Sequence, residues 1–280
     1  MLSPPQPTLH PMTVALPQPR SPQPTPAAQD LAAVFATIDR HSCPTHYNFH
    51  LHTLRSDGQM HPRGLLQQAI AHGLTGLAIT DHHTLAGYRE AQQYRQDLQQ
   101  DLQRDLQQDL QRNPQRNPQR DLQQDLQQDP QDDALVTPRA LPSLWSGVEI
   151  TAKLAGISVH ILGYGFNVDA PELVPYTGGA EVHPSGQPFQ AAEVIAALQA
   201  AGGLAVLAHP VRYRKPPEVL IPAAAKLGID GVETFYAYDN PVPWRPSVAQ
   251  TERVQQLGSS YGLFQTCGTD SHGPTLLQRL

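Results

Sequence analysis

Six of the thirteen histidines in this chain stand beside a carboxylate or at the end of a short apolar run. His50 and His52 are spaced i, i+2, so an extended strand turns both imidazoles to one face and Phe49 and Leu51 to the other. Ser56-Asp57-Gly58 follows as a turn that brings in a carboxylate. The same company recurs downstream in Asp81-His82-His83, Glu149, His160, His209, Glu233 and Asp270-Ser271-His272. Imidazoles mixed with carboxylates are ligands for zinc, manganese or iron, and give no reason to favour calcium. Each residue alone has a bland reading. His82 could cap a helix, Glu149 could be an ordinary strand-end acid, and Asp270 with His272 could form a surface turn. Their joint placement at the ends of apolar runs argues for a metal site. His46, His61, His72 and His183 read instead as surface or packing residues, and Cys267 as a small core residue.

The elements that must position these residues are short. Strands are expected at residues 46–51, 76–80, 144–148, 157–162, 203–208, 231–235 and 263–267. Helices are expected at 31–40, 62–73, from about 85, and at 189–201, 217–227 and 247–261, with a Gly- and Pro-rich loop over 167–187. Buried strands with helices in most of the gaps imply an α/β fold with a parallel sheet, and seven such units suggest a relative of the eight-unit barrel. In such barrels chemistry sits at the C-terminal strand ends, where the polar residues fall here. Only eight residues follow His272, too few for a helix over the last strand, so the helix at 31–40 is expected to pack there through Val34, Phe35 and Ile38.

Two segments read differently. Residues 1–29, rich in Pro, Gln, Ser and Thr, read as a disordered leader, leaving 30–280 as the folded domain. Within that domain, 97–140 reads as a low-complexity insertion. From Asp97 to Asp132 it repeats Asp-Leu-Gln-Gln and its variants every four residues. Four per step overshoots the helical 3.6, so a leucine stripe drifts around the surface, and Pro114, Pro118 and Pro130 break any helix. The formal net charge of -6 argues against a nucleic-acid coat or a membrane-surface protein. Cys43 and Cys267 make neither a disulfide framework nor a zinc ribbon. With no signal-peptide pattern and no apolar run of about 20 residues, a cytoplasmic protein is expected.

In order along the chain, His50-Leu51-His52 with Ser56-Asp57-Gly58, Ala-Ile-Thr-Asp81-His82, Gly-Val-Glu149-Ile, Val-His160-Ile-Leu-Gly-Tyr, Leu-Ala-His209-Pro and Gly-Thr-Asp270-Ser-His272 resemble the successive motifs of the polymerase and histidinol phosphatase (PHP) family. The resemblance spans about residues 44–274 outside the repeat. It looks closest to the branch containing nucleoside 3',5'-bisphosphate phosphatases and 5'-to-3' exonuclease-like enzymes. It implies a distorted seven-stranded parallel (β/α)7 barrel and three divalent metal ions (Mn, Zn or Fe). By that resemblance His50, His52, Glu149 and Asp270 hold the first metal. Glu149 bridges to a second completed by His160 and His209, and Asp57, His82 and His272 hold a third. Asn48 and His83 depart from the family pattern, which often has acids there, and the segment between His160 and His209 is short beside relatives that carry a cap.

The expected activity is therefore hydrolysis of a phosphate ester by a metal-bridging hydroxide, with Glu149, Asp270 and His272 as the catalytic set. The expected substrate is a small nucleotide or nucleotide-like phosphomonoester, a 3',5'-bisphosphate or an oligonucleotide end, with no membrane partner and no stable nucleic-acid complex. Arg212, Arg214 and Lys215 follow His209-Pro210 and are candidates for binding a phosphate, Arg212 first because a guanidinium matches it bidentately. Two alternatives compete: a PHP-fold metal-binding scaffold without turnover, and a metallo-amidohydrolase. The second needs a lysine at a mid-barrel strand end, and Lys153 reads as lying in a turn past Glu149.

Overall fold

A computed structural model describes residues 23–112 and 141–280. Its first helix, α1 (Pro26–Phe35), starts inside the stretch read as leader. Thr25 caps it, its hydroxyl oxygen accepting from Ala28 N at 3.0 Å, and Pro26 fits the first turn, where no N–H is needed. Residues 1–22 lie outside the described residues.

The chain is α/β, but not a uniform parallel barrel. Strands β1 (Tyr47–Asn48), β2 (Gly76–Ala78) and β3 (Ser143–Trp145) form a three-stranded parallel sheet. A five-stranded sheet follows in the order β4 (Gly147–Leu154), β5 (Ile157–Tyr164), β6 (Leu204–Leu207), β7 (Gly231–Phe235), β8 (Phe264–Cys267). In it β4–β5 and β5–β6 are antiparallel, while β6, β7 and β8 run parallel. The cause is local. Only Ala155 and Gly156 separate β4 from β5, both with positive φ (50° and 82°), which makes a tight hairpin and leaves no room for a crossover helix. The expected single strand at 144–148 is also two, divided at Ser146. Lys153, read as a turn residue, pairs within the hairpin.

Hydrogen bonds stitch the two sheets at both seams. Phe49 N donates to Cys267 O (3.2 Å), Asp270 N to His50 O (2.8 Å) and His52 N to Ser271 O (3.1 Å). On the other side Glu149 N donates to Asp81 O (3.3 Å) and His83 N to Glu149 O (3.0 Å). Both seams carry metal-ligand candidates.

Along each strand the side chains alternate between two layers. Ala205 and Leu207 join the layer under helices α4 (Ala191–Ala200), α5 (Pro217–Lys226) and α6 (Val248–Ser260), with Val194, Leu198, Leu220, Ile221 and Val254. Leu204 and Val206 face the other way, into a cluster with Phe49, Leu162, Tyr164, Phe235 and Cys267 that α1 fills with Leu31 and Phe35. Helix α1 thus lies among the strands where β6 and β8 begin. Thr25 N donates to Gly202 O at 2.9 Å, and the Phe35 ring meets Phe49 edge-on at 5.0 Å. Of the three side chains expected to pack, Phe35 and Ile38 are buried and Val34 is half-buried. Leu65, Leu66 and Ala69 of α2 (Pro62–Ala71) bury beneath β2 with Ala91 of α3 (Ala86–Arg112). Helices α2, α4, α5 and α6 fall within two residues of their expected ends, whereas α1 lies five residues earlier than the expected 31–40 and α3 continues into the repeat. Over residues 99–108, and at 111 and 112, that helix is exposed, with Leu102 and Leu106 at 40% and 51%. The remainder of the repeat, 113–140, lies outside the described residues. No helix among the described residues is long and apolar enough to cross a membrane.

Two predictions follow from this packing. Phe35→Ala opens a cavity among three aromatic neighbours, Phe49, Tyr164 and Phe264, and should cost about 3–5 kcal/mol in urea unfolding, whereas a loss below about 1 kcal/mol would show that α1 is not integral. Deleting residues 97–132 and closing with a short polar linker removes, from the described side chains, exposed helix and the half-buried Leu98. Unfolding free energy should change by less than about 1 kcal/mol, and loss of folding would show the tract packs on the domain.

Candidate metal centre

Residues just past the ends of β1, β2, β6 and β8, with His160 from within β5, converge around one buried carboxylate. Glu149 is 1% exposed. Its Oε2 lies 3.0 Å from His50 Nε2, 3.0 Å from His52 Nε2 and 3.6 Å from His82 Nε2. Its Oε1 lies 2.6 Å from His160 Nδ1 and 3.4 Å from His209 Nε2. The hairpin accounts for His160: Thr151 pairs with His160, and Glu149, two residues earlier on β4, shares that face.

Asp270 and Asp57 extend the cluster. Asp270 Oδ1 is 3.3 Å from His50 Nε2 and 3.2 Å from His52 Nε2, and Asp57 reaches His52, His82 and His272 at 3.4, 3.7 and 3.3 Å. The Asp57 loop is held from below. Asp81 accepts from Thr53 N (2.7 Å), Thr53 Oγ1 (2.7 Å) and Ser56 Oγ (2.7 Å). Gly58 closes that turn, where a Cβ would fall 2.5 Å from the His52 carbonyl carbon. His209 and Asp270 have positive φ, 27° and 53°, uncommon for residues with a Cβ, and here they turn the ligand side chains inward.

Three groups have all their ligating atoms within 4.8 Å of one another: His50, His52, Glu149 and Asp270; His52, Asp57, His82 and His272; and His82, Glu149 and His160. The first is the set expected for one metal. The other two share its members, and His209 enters through Glu149. All nine expected ligands therefore converge.

The donor set fits divalent cations. Both ring nitrogens of His52, Glu149 Oε1, His160 Nδ1 and His209 Nδ1 are buried and make no hydrogen bond, although ion-pair partners crowd all but the last. Buried polar atoms that approach without aligning are suited to a common cation between them. The electrostatics of the protein groups agree. Burial opposes charge on His50, but Glu233, Glu149 and Asp270 outweigh it and hold its pKa well above the ordinary value. His52 is likewise disfavoured by burial yet raised to about 9 by Asp270 and Glu149. Burial lowers His82 to about 4, helped by His52 and His160, and lowers His209. Glu149 and Asp270, despite burial, are held well below the carboxylate range, in both cases by His50 above all. The site thus holds carboxylates ionised and concentrates positive charge beside them, which cations can replace.

Supporting residues complete the picture. Glu233, fully buried, meets His50 Nδ1 at 2.9 Å through Oε1 and accepts from His209 N at 2.8 Å through Oε2, so one carboxylate orients two candidate ligands. Asp270 Oδ2 accepts from Tyr236 Oη (2.7 Å), Arg212 Nη1 (2.8 Å) and Arg279 Nε (2.9 Å). Tyr236 and Arg279 were not singled out from the sequence, where neither belongs to a motif. Arg212 and Arg214 line a cavity of about 390 Å³ with Ile157, Ser158 and Tyr213. Lys215 donates instead to Ala155 O at the hairpin turn.

The two departures face away from the cluster. Asn48 Nδ2 donates to Thr269 Oγ1 and Leu276 O, both at 2.9 Å, while its Oδ1 accepts from Thr269 N at 3.1 Å. A carboxylate there could not make the two donations. His83 accepts from Thr151 N through Nε2 (3.2 Å) and turns Nδ1 to Tyr176 O (3.2 Å), tying β4 to the following loop. Lys153 donates to Ser158 Oγ at 2.7 Å near the hairpin end, not at the cluster.

Residues 48–127 match the family described as PHP domain. The chain is similar to a 5'-3' exoribonuclease of Haemophilus influenzae (strain ATCC 51907 / DSM 11121 / KW20 / Rd), 24% identical over 255 residues, covering 81% of this chain and 90% of that protein. Among solved structures, it is similar to a putative metal-dependent phosphoesterase from Bifidobacterium adolescentis (TM-score 0.54, 21% identity, 82% of this chain and 88% of the other). It is also similar to an amidohydrolase from Chromobacterium violaceum with bound sulfate and no metal (TM-score 0.57, 18% identity, 84% and 90%). At these identities the structural likeness is one of fold.

The raised His52 pKa sets a pH dependence. A cation must displace that proton, so apparent Mn²⁺ affinity should rise between about pH 7 and 9, by about tenfold per pH unit for each proton displaced. Calorimetric titration in buffers of different ionisation enthalpy should show proton release. Affinity that stays flat with pH would mean His52 is not a ligand.

Proposed function

We propose that this chain, which carries the PHP domain over residues 48–127, is a metal-dependent phosphoesterase. The observation that carries the reading is the two-sided environment of Glu149. One oxygen faces His50, His52 and His82, and the other faces His160 and His209, as a carboxylate shared by two cations requires. His50, His52, Asp57, His82, Glu149, His160, His209, Asp270 and His272 would hold two or three ions of manganese, zinc or iron. Bound there, such ions supply Lewis-acid polarisation of a phosphoryl oxygen and acidify water. On this reading the two sheets are parts of a distorted seven-stranded barrel with β3 and β4 as one bent strand, and the hydrogen bonds across both seams support it.

The protein's own residues supply position and charge. Glu233 fixes the ring of His50 and the backbone of His209, and Asp81 fixes the loop that carries Asp57. Arg212 holds Asp270 through Nη1 while lining the cavity, so its remaining N–H edge is available to an oxyanion, and Arg214 lies beside it. The five carboxylates at the site (Asp57, Asp81, Glu149, Glu233, Asp270) outnumber the guanidiniums of Arg212 and Arg279 by three, and two or three divalent cations would reverse that balance. A net positive pocket favours a phosphate anion over a neutral amide. Water cleaves the P–O bond to give inorganic phosphate or a phosphomonoester, and an alcohol. A nucleotide-like phosphomonoester, a 3',5'-bisphosphate or an oligonucleotide end fits this chemistry. The amidohydrolase alternative lacks its lysine, since Lys153 is engaged at the hairpin end. The scaffold alternative does not account for a complete donor set.

The test is an assay of the Mn²⁺-loaded protein on an aryl phosphate, an aryl phosphodiester and a nucleoside 3',5'-bisphosphate. Glu149→Gln keeps shape but removes the charge shared by the cations, and should cost about 4 kcal/mol or more, roughly a thousandfold in kcat. Arg214→Ala should raise KM for the bisphosphate while sparing the aryl phosphate. Unchanged turnover in Glu149→Gln, or no hydrolysis by the loaded wild type, would overturn the reading.

A further inference from the structure

Residues 274–280 run back over the loop that presents Asp270 and His272. Leu276 is fully buried, its carbonyl accepts from Asn48 Nδ2 and Thr269 Oγ1, and its N–H donates to Gln68 Oε1 (3.1 Å) on α2. Gln278 Nε2 donates to Pro241 O (2.8 Å) and to Asn240. This strap delivers Arg279 to the metal centre at two points. Its Nε donates to Asp270 Oδ2 at 2.9 Å, and its carbonyl accepts from His272 N at 2.7 Å and Gly273 N at 3.3 Å.

We propose that Arg279 is a positioning residue for metal binding, setting Asp270 with its side chain and His272 with its backbone. The geometry gives the reason. Asp270 has an uncommon positive φ, and its Oδ1 faces His50 and His52, so its carboxylate must be held with Oδ2 turned outward. Tyr236, Arg212 and Arg279 do this from three directions, and Arg279 alone also fixes the neighbouring ligand. A planar guanidinium resists rotation of the carboxylate better than an ammonium does. The inference rests on Asp270 and His272 being metal ligands, but not on turnover.

The test compares Arg279→Ala, Arg279→Lys and Gln278→Ala in the full chain, with Mn²⁺ binding followed by electron paramagnetic resonance of the free ion and folding followed by thermal unfolding in chelator. Arg279→Ala leaves the carbonyl contact to His272 in place. It should bind at least one Mn²⁺ more weakly by about 10–100-fold. Arg279→Lys should fall between it and wild type, and Gln278→Ala, which loosens the strap without touching a ligand, should bind as wild type. In the aryl phosphate assay, added Mn²⁺ should restore kcat in Arg279→Ala with KM unchanged. Wild-type Mn²⁺ affinity in the folded Arg279→Ala protein, or an equal loss in Gln278→Ala, would overturn the proposal. Should Arg279→Ala not fold, Arg279→Lys decides by the same titration: weakened binding supports the assignment and wild-type binding overturns it. If wild type binds Mn²⁺ but cleaves no ester, the phosphoesterase reading fails and the Arg279 comparison still stands on binding.

Discussion

A carboxylate removed almost entirely from water is tolerable only when opposite charge or hydrogen-bond donors surround it. Glu149 sets that constraint here. Five imidazoles approach it, four from just past the ends of β1, β2 and β6 and one, His160, from within β5, and no single element supplies enough of them. The parallel strands β1, β2 and β6 must therefore end at one level beside the antiparallel β4–β5 hairpin, and the departures from regular geometry lie there. The sheet ladder gives way at the two seams beside His50, His52 and Glu149, and positive φ values occur at His209 and Asp270. Local strain of this kind persists because the packing on either side is rigid.

That rigidity comes from separate layers with separate duties. Helices α4, α5 and α6 seal one face of the five-stranded sheet, and α1 fills the other with Phe35 against Phe49 and Tyr164. Phe49 is the neighbour of His50, and its own packing holds β1 against slipping. Below the imidazoles lies a second tier of carboxylates that touch ligands or their loops: Glu233 under His50 and His209, Asp81 under the turn that carries Asp57. Opposing charges in this tier resist rotation of the side chains above it.

Much of the candidate site was legible in the sequence because most of its candidate ligands fall at the ends of apolar runs, and a run's end is a local signal. Hydrophobic periodicity likewise located most helices to within two residues. The hairpin was not legible: Ala155-Gly156 lacks the asparagine or aspartate that usually announces such a turn, and two apolar runs eight residues apart looked like successive parallel strands. The break at Ser146 was hidden for a related reason, since a strand that leaves one sheet for another keeps its apolar pattern. Asn48 stood out only as a departure from the family pattern, yet its two donations and one acceptance show an amide suited to joining β1 to the strap. Tyr236 and Arg279 act only through contacts made after folding, and nothing near them in the chain marks them. Lys215 had the right charge and neighbourhood, but its reach ends at the Ala155 carbonyl.

The central claim is that Glu149 is shared between cations, and anomalous diffraction from crystals soaked in Mn²⁺ tests it most directly. The account predicts at least two anomalous peaks, one beside each carboxylate oxygen of Glu149, roughly 3.5–4 Å apart. One peak is expected toward His50, His52 and Asp270 and the other toward His160 and His209. Peaks that leave Glu149 without a metal contact, or a single peak touching only one of its oxygens at saturating Mn²⁺, would contradict it.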